Sequence, residues 1–330
     1  MYPFEYQRPQ SLEEAFRFLS RDGSELLAGG TDLLTLMKQE IAAPNYVVDI
    51  KRLEALPREI QTVRDGGVRV GALATLSDVQ NSATLAGPYA ALAEAAEVAA
   101  TPQLRNMATV GGNLLQRPRC WYFRNPHLHC WLKGGDDCFA RDGRNEYHAI
   151  FDISPCVAAH PSDLAPALLV LDAEVHLQWT DGERRVALEN FFAAPAEERR
   201  RETRIGRDEL LLSVRIPGLP AAMRSTYVKA MARKVWAFAL VSVAAAVHVQ
   251  SGQIEDVRIA LGGVAPVPLR ARAVESALVG QPATIKQFEE AAALAVADAQ
   301  PLEYNQYKIA LARRLIVRAL QRVTDGREAT

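Results

Sequence analysis

The chain has 330 residues, 49% hydrophobic and 23% charged, and this length is sufficient for about two domains with separate cores. Its 38 Lys and Arg residues nearly balance 39 Asp and Glu residues, so no global charge favours nucleic acid or an anionic membrane. The most apolar window, 236–249, has 14 residues, too few to cross roughly 30 Å of hydrocarbon. Small molecules or proteins are therefore the expected partners. The first residues lack the pattern of a secretory signal.

The first third of the chain predicts a small βαβ unit. Ser11 opens an S-x-x-E capping box ahead of an apolar stripe, which predicts a helix over 12–20. An apolar run then ends in AGGTD, where Thr31 or Asp32 can cap a second helix. The following NYVVDI, 45–50, has the pattern of a strand.

The middle of the chain alternates strands and helices around one irregular segment. The expected elements are a strand over 68–73, a short helix from TLSDVQNS, an alanine-rich helix over 89–100, and a buried helix and strand within 161–179. Between them, ATVGGNLLQ repeats the Gly-Gly turn, and 117–160 is irregular and rich in Pro, Gly, Arg and His. The charge run 197–204 is interpreted as a solvated loop.

The last third predicts a small α+β domain. A strand within 208–220 ends in a Pro/Gly/Pro connection, which marks a candidate domain boundary. Two long apolar runs flank Ser251-Gly252 as an antiparallel hairpin. The segment 304–323 places small and branched apolar residues on one helical face.

The two Gly-Gly turns, AGGTD and TVGGN, are candidate phosphate sites. A strand that breaks into Gly-Gly and starts a helix exposes backbone N–H groups that favour an anion. Glycine permits φ > 0 and close approach of the phosphate. Two such turns could clamp one diphosphate, although periodicity does not show that they meet. Neither turn has the spacing of a Rossmann site or a P-loop, so a bound nucleotide needs another fold.

All four cysteines lie within one 37-residue window, 120–156, with the spacing C-x9-C-x7-C-x17-C. Structural zinc sites usually contain close C-x2-4-C pairs, and ferredoxin-type sites contain C-x2-C runs, and neither pattern occurs here. The residues alone therefore leave three interpretations open: two disulfides, a zinc site or a [4Fe–4S] cluster.

Six motifs occur in an order that is typical of one family. They are LLAGGTDLL, TVGGNLLQ, PSDLAPALLVLDAEV, YVKAMARKVWAFALVSVAAAV, IALGGVAPVPLRA and YKIALARRLIVRAL. With these motifs the chain resembles the FAD-binding medium subunit of the xanthine dehydrogenase family, whose molybdenum hydroxylases include carbon monoxide dehydrogenase and 4-hydroxybenzoyl-CoA reductase. The resemblance covers nearly the whole chain, and six ordered motifs are more specific than either glycine turn.

The resemblance implies an α+β fold with two domains. A two-subdomain FAD-binding domain of the PCMH or vanillyl-alcohol-oxidase type would occupy 1–218, with subdomains 1–55 and 56–218. A small α+β domain, with an antiparallel sheet and helices, would follow over 219–330. Segment 117–160 would be an insertion in the second subdomain.

The resemblance also implies that the FAD diphosphate lies between the glycine turns. The residues carried over for the turns are Ala28, Gly29, Gly30, Thr31, Asp32 and Leu33, with Thr109, Gly111, Gly112 and Asn113. Asp163 would hydrogen-bond polar atoms of the cofactor. Leu211 would pack against the isoalloxazine, and Lys229 would lie near its pyrimidine edge, where a cation raises the flavin potential. Without the resemblance, Leu211 reads as strand core and Lys229 as a surface lysine.

The cysteine segment acquires an interpretation from its position in the chain. In family members without this feature a short connection joins the two flanking motifs, whereas 47 residues separate TVGGN from PSDLAP here. An insertion at this point is similar to those of 4-hydroxybenzoyl-CoA reductase and periplasmic-type aldehyde oxidoreductases, which carry an extra [4Fe–4S] cluster near the flavin. The implied ligands are Cys120, Cys130, Cys138 and Cys156. The cations expected to offset the cluster charge are Arg117, Arg119, Arg124 and Lys133.

No nucleophile elbow or H-E-x-x-H motif occurs in the sequence, so we expect no catalytic residue in this chain. The segment QRPRCWYFRN resembles the aldehyde oxidoreductase branch. The resemblance implies a large subunit with the molybdenum cofactor and a small subunit with [2Fe–2S] clusters, which pass electrons to this FAD and then to an external acceptor.

Two alternatives accompany this interpretation. One is a 4-hydroxybenzoyl-CoA reductase-like subunit in which electrons flow toward molybdenum. The other is a zinc-stabilised nucleotide-binding scaffold without a redox role. The expected location is the cytoplasm, or the periplasm by co-export with a partner that carries a signal.

Overall fold

Three sheets organise the chain, and each belongs to a different part of the sequence. The computed structural model describes residues 1–325, so the last five residues of the predicted C-terminal domain, 326–330, lie outside the described part. No helix within 1–325 combines the length and the apolar character needed to cross a membrane.

The N-terminal sheet is parallel, with strand order β1-β3-β2, and confirms the predicted βαβ unit. Its strands are β1 (Glu5–Gln7), β2 (Ser24–Leu27) and β3 (Tyr46–Asp49), and its helices are α1 (Leu12–Leu19) and α2 (Leu33–Lys38). The Ser11 side chain caps α1 by accepting from the Glu14 backbone N–H. The apolar face of α1 packs on β3 through Phe16 and Val48.

The second sheet is antiparallel, with strand order β4-β5-β8-β6-β7. Its strands are β4 (Ile60–Thr62), β5 (Val68–Gly71), β6 (Glu174–Trp179), β7 (Gly182–Ala187) and β8 (Leu210–Ile216). The associated helices are α3 (Leu76–Gln80), α4 (Ala90–Glu97), α5 (Pro102–Arg105), α6 (Val110–Leu114), α7 (Leu164–Val170) and α8 (Leu188–Phe191). Every residue of α7 is buried, as its unbroken apolar sequence predicts.

The third sheet is antiparallel, with strand order β12-β11-β10-β9. Its strands are β9 (Arg224–Met231), β10 (Ala239–Gln250), β11 (Gln253–Gly262) and β12 (Leu269–Arg270), and its helices are α9 (Arg272–Leu278), α10 (Ile285–Leu294) and α11 (Tyr307–Thr324). The predicted hairpin turns at Ser251 and Gly252, with φ of 51° and 79°. Helix α11 packs its predicted apolar face on this sheet.

The cysteine insertion, 117–160, is irregular as predicted and contains one 3-10 turn, Trp131–Lys133. Its end attaches to the connection between β11 and β12, because the N–H of Ile150 donates to Val264 O and that of His160 donates to Ala265 O, both at 2.8 Å. The insertion therefore lies between the glycine turns and the C-terminal elements.

Candidate functional site

Two adjoining cavities lie beside the glycine turns. One, the narrow cavity, has a volume of about 490 Å³ and extends to residues of the segment 201–211. The other, the wide cavity, has a volume of about 690 Å³ and is lined by the insertion and by the β9–β10 loop. The residues that line both are Thr31, Asp32, Gly112 and Gln116. The cavities thus form one elongated cleft, and we call these four residues its junction.

The structure gathers nearly all predicted cofactor residues around this cleft. Those lining the narrow cavity are Ala28, Gly29, Gly30, Thr31, Asp32, Leu33, Thr109, Gly111, Gly112 and Leu211. Those lining the wide cavity are Thr31, Asp32, Gly112, Asn113 and Asp163. Lys229 lines neither cavity. Leu211 and Asp163 therefore face the cleft from different ends.

The two glycine turns are in direct contact. A Cβ built on Gly29 would lie 1.9 Å from the carbonyl oxygen of Met107, just before the second turn. Gly30 has φ of +71°, which glycine adopts without strain. Within residues 1–325, a Cβ on Gly112 would meet only Thr109 Oγ1, at 3.0 Å, so its remaining surroundings are the open junction. The cleft therefore fits a group that approaches the backbone closely.

The two turns differ in their hydrogen-bonding capacity. In the described chain, 1–325, the backbone N–H groups of residues 29–32 have no acceptor. In the second turn, by contrast, Gly111 N–H donates to Ala72 O at 2.9 Å and Gly112 N–H donates to Thr109 Oγ1 at 3.2 Å. The first turn therefore offers free N–H donors to an anion. The second turn has its N–H groups bonded within the protein and allows close approach instead.

Asp32 occupies the N-cap position of α2, but its carboxylate forms no cap hydrogen bond. It accepts instead from the backbone N–H of Arg117 at 2.8 Å. It also pairs with the guanidinium of Arg119 at 2.9 Å and with that of Arg124 at 2.7 Å. Of the two predicted capping residues, Thr31 and Asp32, Asp32 therefore occupies the cap position but forms no side-chain cap, because its carboxylate bonds to the insertion.

Asp163 is the centre of a buried network at the wide cavity. Its carboxylate accepts from the Tyr227 hydroxyl at 2.6 Å and from Lys229 Nζ at 2.8 Å. Burial and the Asp163 charge raise the pKa of Tyr227 well above its usual value. Lys229 is buried, so its interpretation as a surface lysine is wrong. The lysine neutralises and orients the carboxylate that faces the cavity.

The four cysteines are free thiols within one region of the insertion. Cys130 and Cys156 are buried in a cluster with Phe123, Trp131 and other apolar side chains, and Cys120 and Cys138 pack against it. The disulfide interpretation is therefore not supported. Cys120 also lines the wide cavity, which brings the cysteine region to the cofactor cleft.

The thiols influence one another, and two neighbours that the sequence argument missed act on them. A hydrogen bond from Cys156 lowers the pKa of Cys138, and the nearby Arg141 contributes in the same direction. Burial raises the pKa of Cys120 to about 12. His148 Nε2 lies 3.1 Å from Cys120 Sγ. Only the clustering of cysteines in the sequence pointed to this region, because Arg141 and His148 belong to no motif.

The four cysteines form the donor set implied for a cluster. Within residues 1–325 no group of three or more His, Cys, Asp or Glu side chains has an arrangement ready to hold a metal ion. The chemistry of the set, four unbridged thiols in an apolar surrounding, nevertheless fits a thiolate-ligated centre.

The cations predicted to offset a cluster charge have other partners. Arg119 and Arg124 pair with Asp32, Arg117 pairs with Glu202 at 3.3 Å, and Lys133 Nζ donates to Asn125 O at 2.6 Å. The contacts of the three arginines hold the insertion to the rest of the chain, whereas the Lys133 contact lies within the insertion. Arg141, another arginine of the insertion, lowers the pKa of Cys138.

The charge run 197–204 is a loop with four exposed residues, as predicted, but two of its charged residues also contact the insertion. Arg200 lies over the Trp131 ring at 4.7 Å and donates to the carbonyls of Trp131 and Gly135, each at 2.7 Å. Glu197 accepts from the Trp131 indole N–H at 2.8 Å. The run therefore covers one side of the insertion, where Glu197 and Arg200 form these specific contacts.

Comparison with known proteins identifies the family. Residues 2–219 match the FAD binding domain in molybdopterin dehydrogenase, and 226–323 match the CO dehydrogenase flavoprotein C-terminal domain. The aldehyde oxidoreductase FAD-binding subunit PaoB of Escherichia coli K12 is 36% identical over 97% of this chain and 98% of PaoB. The carbon monoxide dehydrogenase medium chain of Hydrogenophaga pseudoflava is 28% identical over 96% of each chain.

A solved structure supports the fold. Carbon monoxide dehydrogenase from Hydrogenophaga pseudoflava, in a form that lacks the Mo-pyranopterin moiety, superposes with a TM-score of 0.77 at 28% identity, over 97% of this chain and 96% of the other. The predicted fold class is confirmed. The chain belongs to the FAD-binding subunits of the molybdenum hydroxylase family, the family of xanthine dehydrogenase.

Proposed function

We propose that this chain is the FAD and [4Fe–4S] electron-transfer subunit of a heterotrimeric molybdenum-containing aldehyde oxidoreductase. The observation that carries the proposal is that Cys120, in the insertion with all four cysteines, lines the same cleft as both glycine turns. A redox centre in the insertion would then adjoin the flavin. The similarity to PaoB, whose name specifies an aldehyde oxidoreductase, supports the substrate class.

The FAD would extend through both cavities with its diphosphate at the junction. The free N–H groups of the first turn support this placement, and so does the space beside Gly112. Leu211 would pack against the flavin from the narrow cavity, and Asp163, oriented by Lys229, would hydrogen-bond it from the wide cavity. When bound, FAD exchanges single electrons with metal clusters and electron pairs with an acceptor.

The domain division proposed is 1–218, with subdomains 1–55 and 56–218 and the insertion 117–160, followed by 219–330. The change from the second sheet to the third between Ile216 and Arg224 supports this boundary. The cofactor cleft lies near the boundary, since the β9–β10 loop lines the wide cavity.

Cys120, Cys130, Cys138 and Cys156 would ligate the cluster. The apolar shell of Phe123, Trp131 and Leu132 would exclude water from it, and this exclusion affects its potential. In the assembled complex, a large subunit would hold the molybdenum cofactor and a small subunit would hold [2Fe–2S] clusters. The complex would reside in the cytoplasm, or in the periplasm after co-export with a signal-bearing partner.

The test is the absorption spectrum and iron content of the purified complex, with Cys138→Ser as the variant. We expect flavin bands with a broad iron–sulfur shoulder, and a loss of iron in the variant while FAD remains. Because the partner clusters also contain iron, the expected loss is about four iron atoms per chain. Unchanged iron would remove Cys138 from the ligand set, and one zinc per chain with no shoulder would support the zinc scaffold.

The direction of electron flow is tested on the assembled complex. We expect turnover of aromatic aldehydes with an added electron acceptor. Reduction of hydroxybenzoyl thioesters without aldehyde turnover would favour the 4-hydroxybenzoyl-CoA reductase-like alternative.

A further inference from the structure

Arg119 lies one residue before Cys120 and contacts two of the four junction residues. Its Nη1 pairs with Asp32 Oδ1 at 2.9 Å, and its Nη2 donates to Gln116 Oε1 at 3.0 Å. The guanidinium also lies 4.8 Å from the centre of the Phe238 ring, on the β9–β10 loop. Arg119 therefore connects the first glycine turn, the insertion and the C-terminal domain at the junction.

The junction carries excess positive charge. The single carboxylate of Asp32 pairs with two guanidiniums, those of Arg119 and Arg124. Guanidinium groups keep their proton in proteins at neutral pH. One carboxylate and two guanidiniums sum to a net charge of +1. The residues 28–33 and 109–113 contain no lysine or arginine, so the turns themselves provide no such charge.

Two donors of this arginine pair have no acceptor. Within residues 1–325, Arg119 Nε and Arg124 Nη1 are buried and form no hydrogen bond. Arg119 lines the wide cavity, so an anion at the junction would lie beside its side chain, whereas Arg124 lines neither cavity and supports Arg119 through their shared partner Asp32. The junction, with the free N–H groups of residues 29–32 beside it, is where such an anion is expected.

We propose that Arg119, supported by Arg124, is a FAD-binding residue that the cysteine insertion contributes to the cleft, and that its charge holds the diphosphate. This inference rests on the placement of the diphosphate under Proposed function. If it holds, FAD is retained only when the insertion is folded, and bound FAD in turn fixes the position of Cys120.

The test uses the full chain in its complex after removal of the flavin, titrated with ADP and with riboflavin, which lacks phosphate. Arg119→Met should weaken ADP binding about 10- to 100-fold and change riboflavin binding less than about threefold, because the lost interaction is a charge-assisted hydrogen bond. Arg119→Lys should recover part of the ADP affinity. Arg144→Met, an exposed arginine of the same insertion with 73% side-chain exposure, should bind ADP as the unchanged protein does.

Gly112→Val provides the reference that separates the two proposals. If it abolishes ADP binding while Arg119→Met and Arg119→Lys leave it unchanged, the inference about Arg119 is wrong and the placement of the diphosphate stands. If Gly112→Val also has no effect, both are wrong. Equal losses of ADP and riboflavin affinity in Arg119→Met would assign the residue a general structural role and would overturn the inference.

Discussion

At the scale of single residues, Gly112 determines whether the cleft is continuous. It lines both cavities, and its missing side chain leaves the junction open. Its N–H is already bonded to Thr109, so its contribution to a ligand is space rather than a donor. A glycine can therefore be required because it lacks a side chain, even where it offers no free hydrogen-bond donor.

We expect Gly112→Val to lose at least about 90% of bound FAD, because a branched side chain at the junction would cost several kcal/mol of strain or exclude the diphosphate. The measurement is the ratio of flavin to protein after purification. Gly112→Ala is the matched control: it adds the same contact with Thr109 but only one carbon, so most FAD should remain. Full occupancy in the valine variant would mean that the diphosphate lies elsewhere.

His160 is a second residue whose surroundings have a measurable consequence. It is buried at the wide cavity, its ring is 4.8 Å from that of Phe192, and its Nδ1 accepts from the Ser162 N–H at 3.4 Å. Burial lowers its pKa from 6.5 to about 3. The folded protein therefore holds the ring neutral where the unfolded chain binds a proton.

This difference predicts a loss of stability in acid. Below pH 6.5 the unfolded state binds more protons, so the free energy of unfolding should fall by about 1.4 kcal/mol per pH unit until the folded pKa is reached. Urea denaturation at pH 7, 6 and 5 would show this slope in the unchanged protein. His160→Gln should make it shallower, and His127→Gln, at an exposed position, should not. Identical slopes in all three would exclude His160 as the source.

The residue-level predictions succeeded where the signal was local. Ser11 caps α1 because the acceptor and donor are three residues apart, a distance that the sequence specifies. The sequence did not show that the Asp32 carboxylate bonds outside its helix, because its partners, Arg117, Arg119 and Arg124, are more than 80 residues away. Whether a carboxylate caps a helix or pairs with a guanidinium depends on the tertiary structure. The periodicity of the sequence does not specify that structure.

At the scale of elements, the segment 197–204 and the cysteine insertion form one unit. Arg200 joins them through a ring contact and two carbonyl hydrogen bonds, and Glu197 accepts from the Trp131 indole. The insertion has no regular sheet or α-helix of its own, so contacts of this kind replace backbone ladders as the source of its order.

We expect Arg200→Met to destabilise the insertion by about 2 kcal/mol, since it removes a cation–π contact and leaves two carbonyls without a donor. Faster hydrogen exchange of residues 128–137 would report the effect. The neighbouring Arg201→Met is the control, because Arg201 is more than half exposed and its nearest carboxylate lies 3.9 Å away. Equal exchange rates in both variants would contradict the assigned role.

The elements themselves were largely predictable, because helices and strands follow from spacing over a few residues. The hairpin at Ser251-Gly252 and the apolar face of α11 appear where expected. The conformation of the insertion was not predictable, since it lacks periodicity and depends on contacts such as that between Arg200 and Trp131. The contact of the glycine turns also required the structure, because it joins Gly29 to Met107 across an intervening domain segment.

At the scale of the whole molecule, Lys308 joins the C-terminal domain to the insertion. The residue is fully buried on α11, and its Nζ donates to the carbonyls of Tyr147, His148 and Gly263 at 3.1, 2.8 and 2.7 Å. Asn305 adds a hydrogen bond to Ala149 O at 2.9 Å. Burial lowers the pKa of Lys308 to about 7.

We expect Lys308→Met to lower the free energy of unfolding by about 2–5 kcal/mol, because three buried carbonyls lose their donor. Thermal or urea denaturation of the full chain measures this change. Lys286→Met, on the exposed face of α10 with 82% side-chain exposure, should change stability by less than about 0.5 kcal/mol. A loss of similar size in both variants would show that Lys308 has no special role.

The long separation along the chain between the cysteines and the residues Asn305 and Lys308 has a consequence for biosynthesis. The cysteines at 120–156 are translated well before Asn305 and Lys308, the residues that hold the end of the insertion. The cysteine region can take its final shape only after the C-terminal helix has been made. Any group that binds these cysteines in their final arrangement would therefore enter only after the start of α11 has been translated.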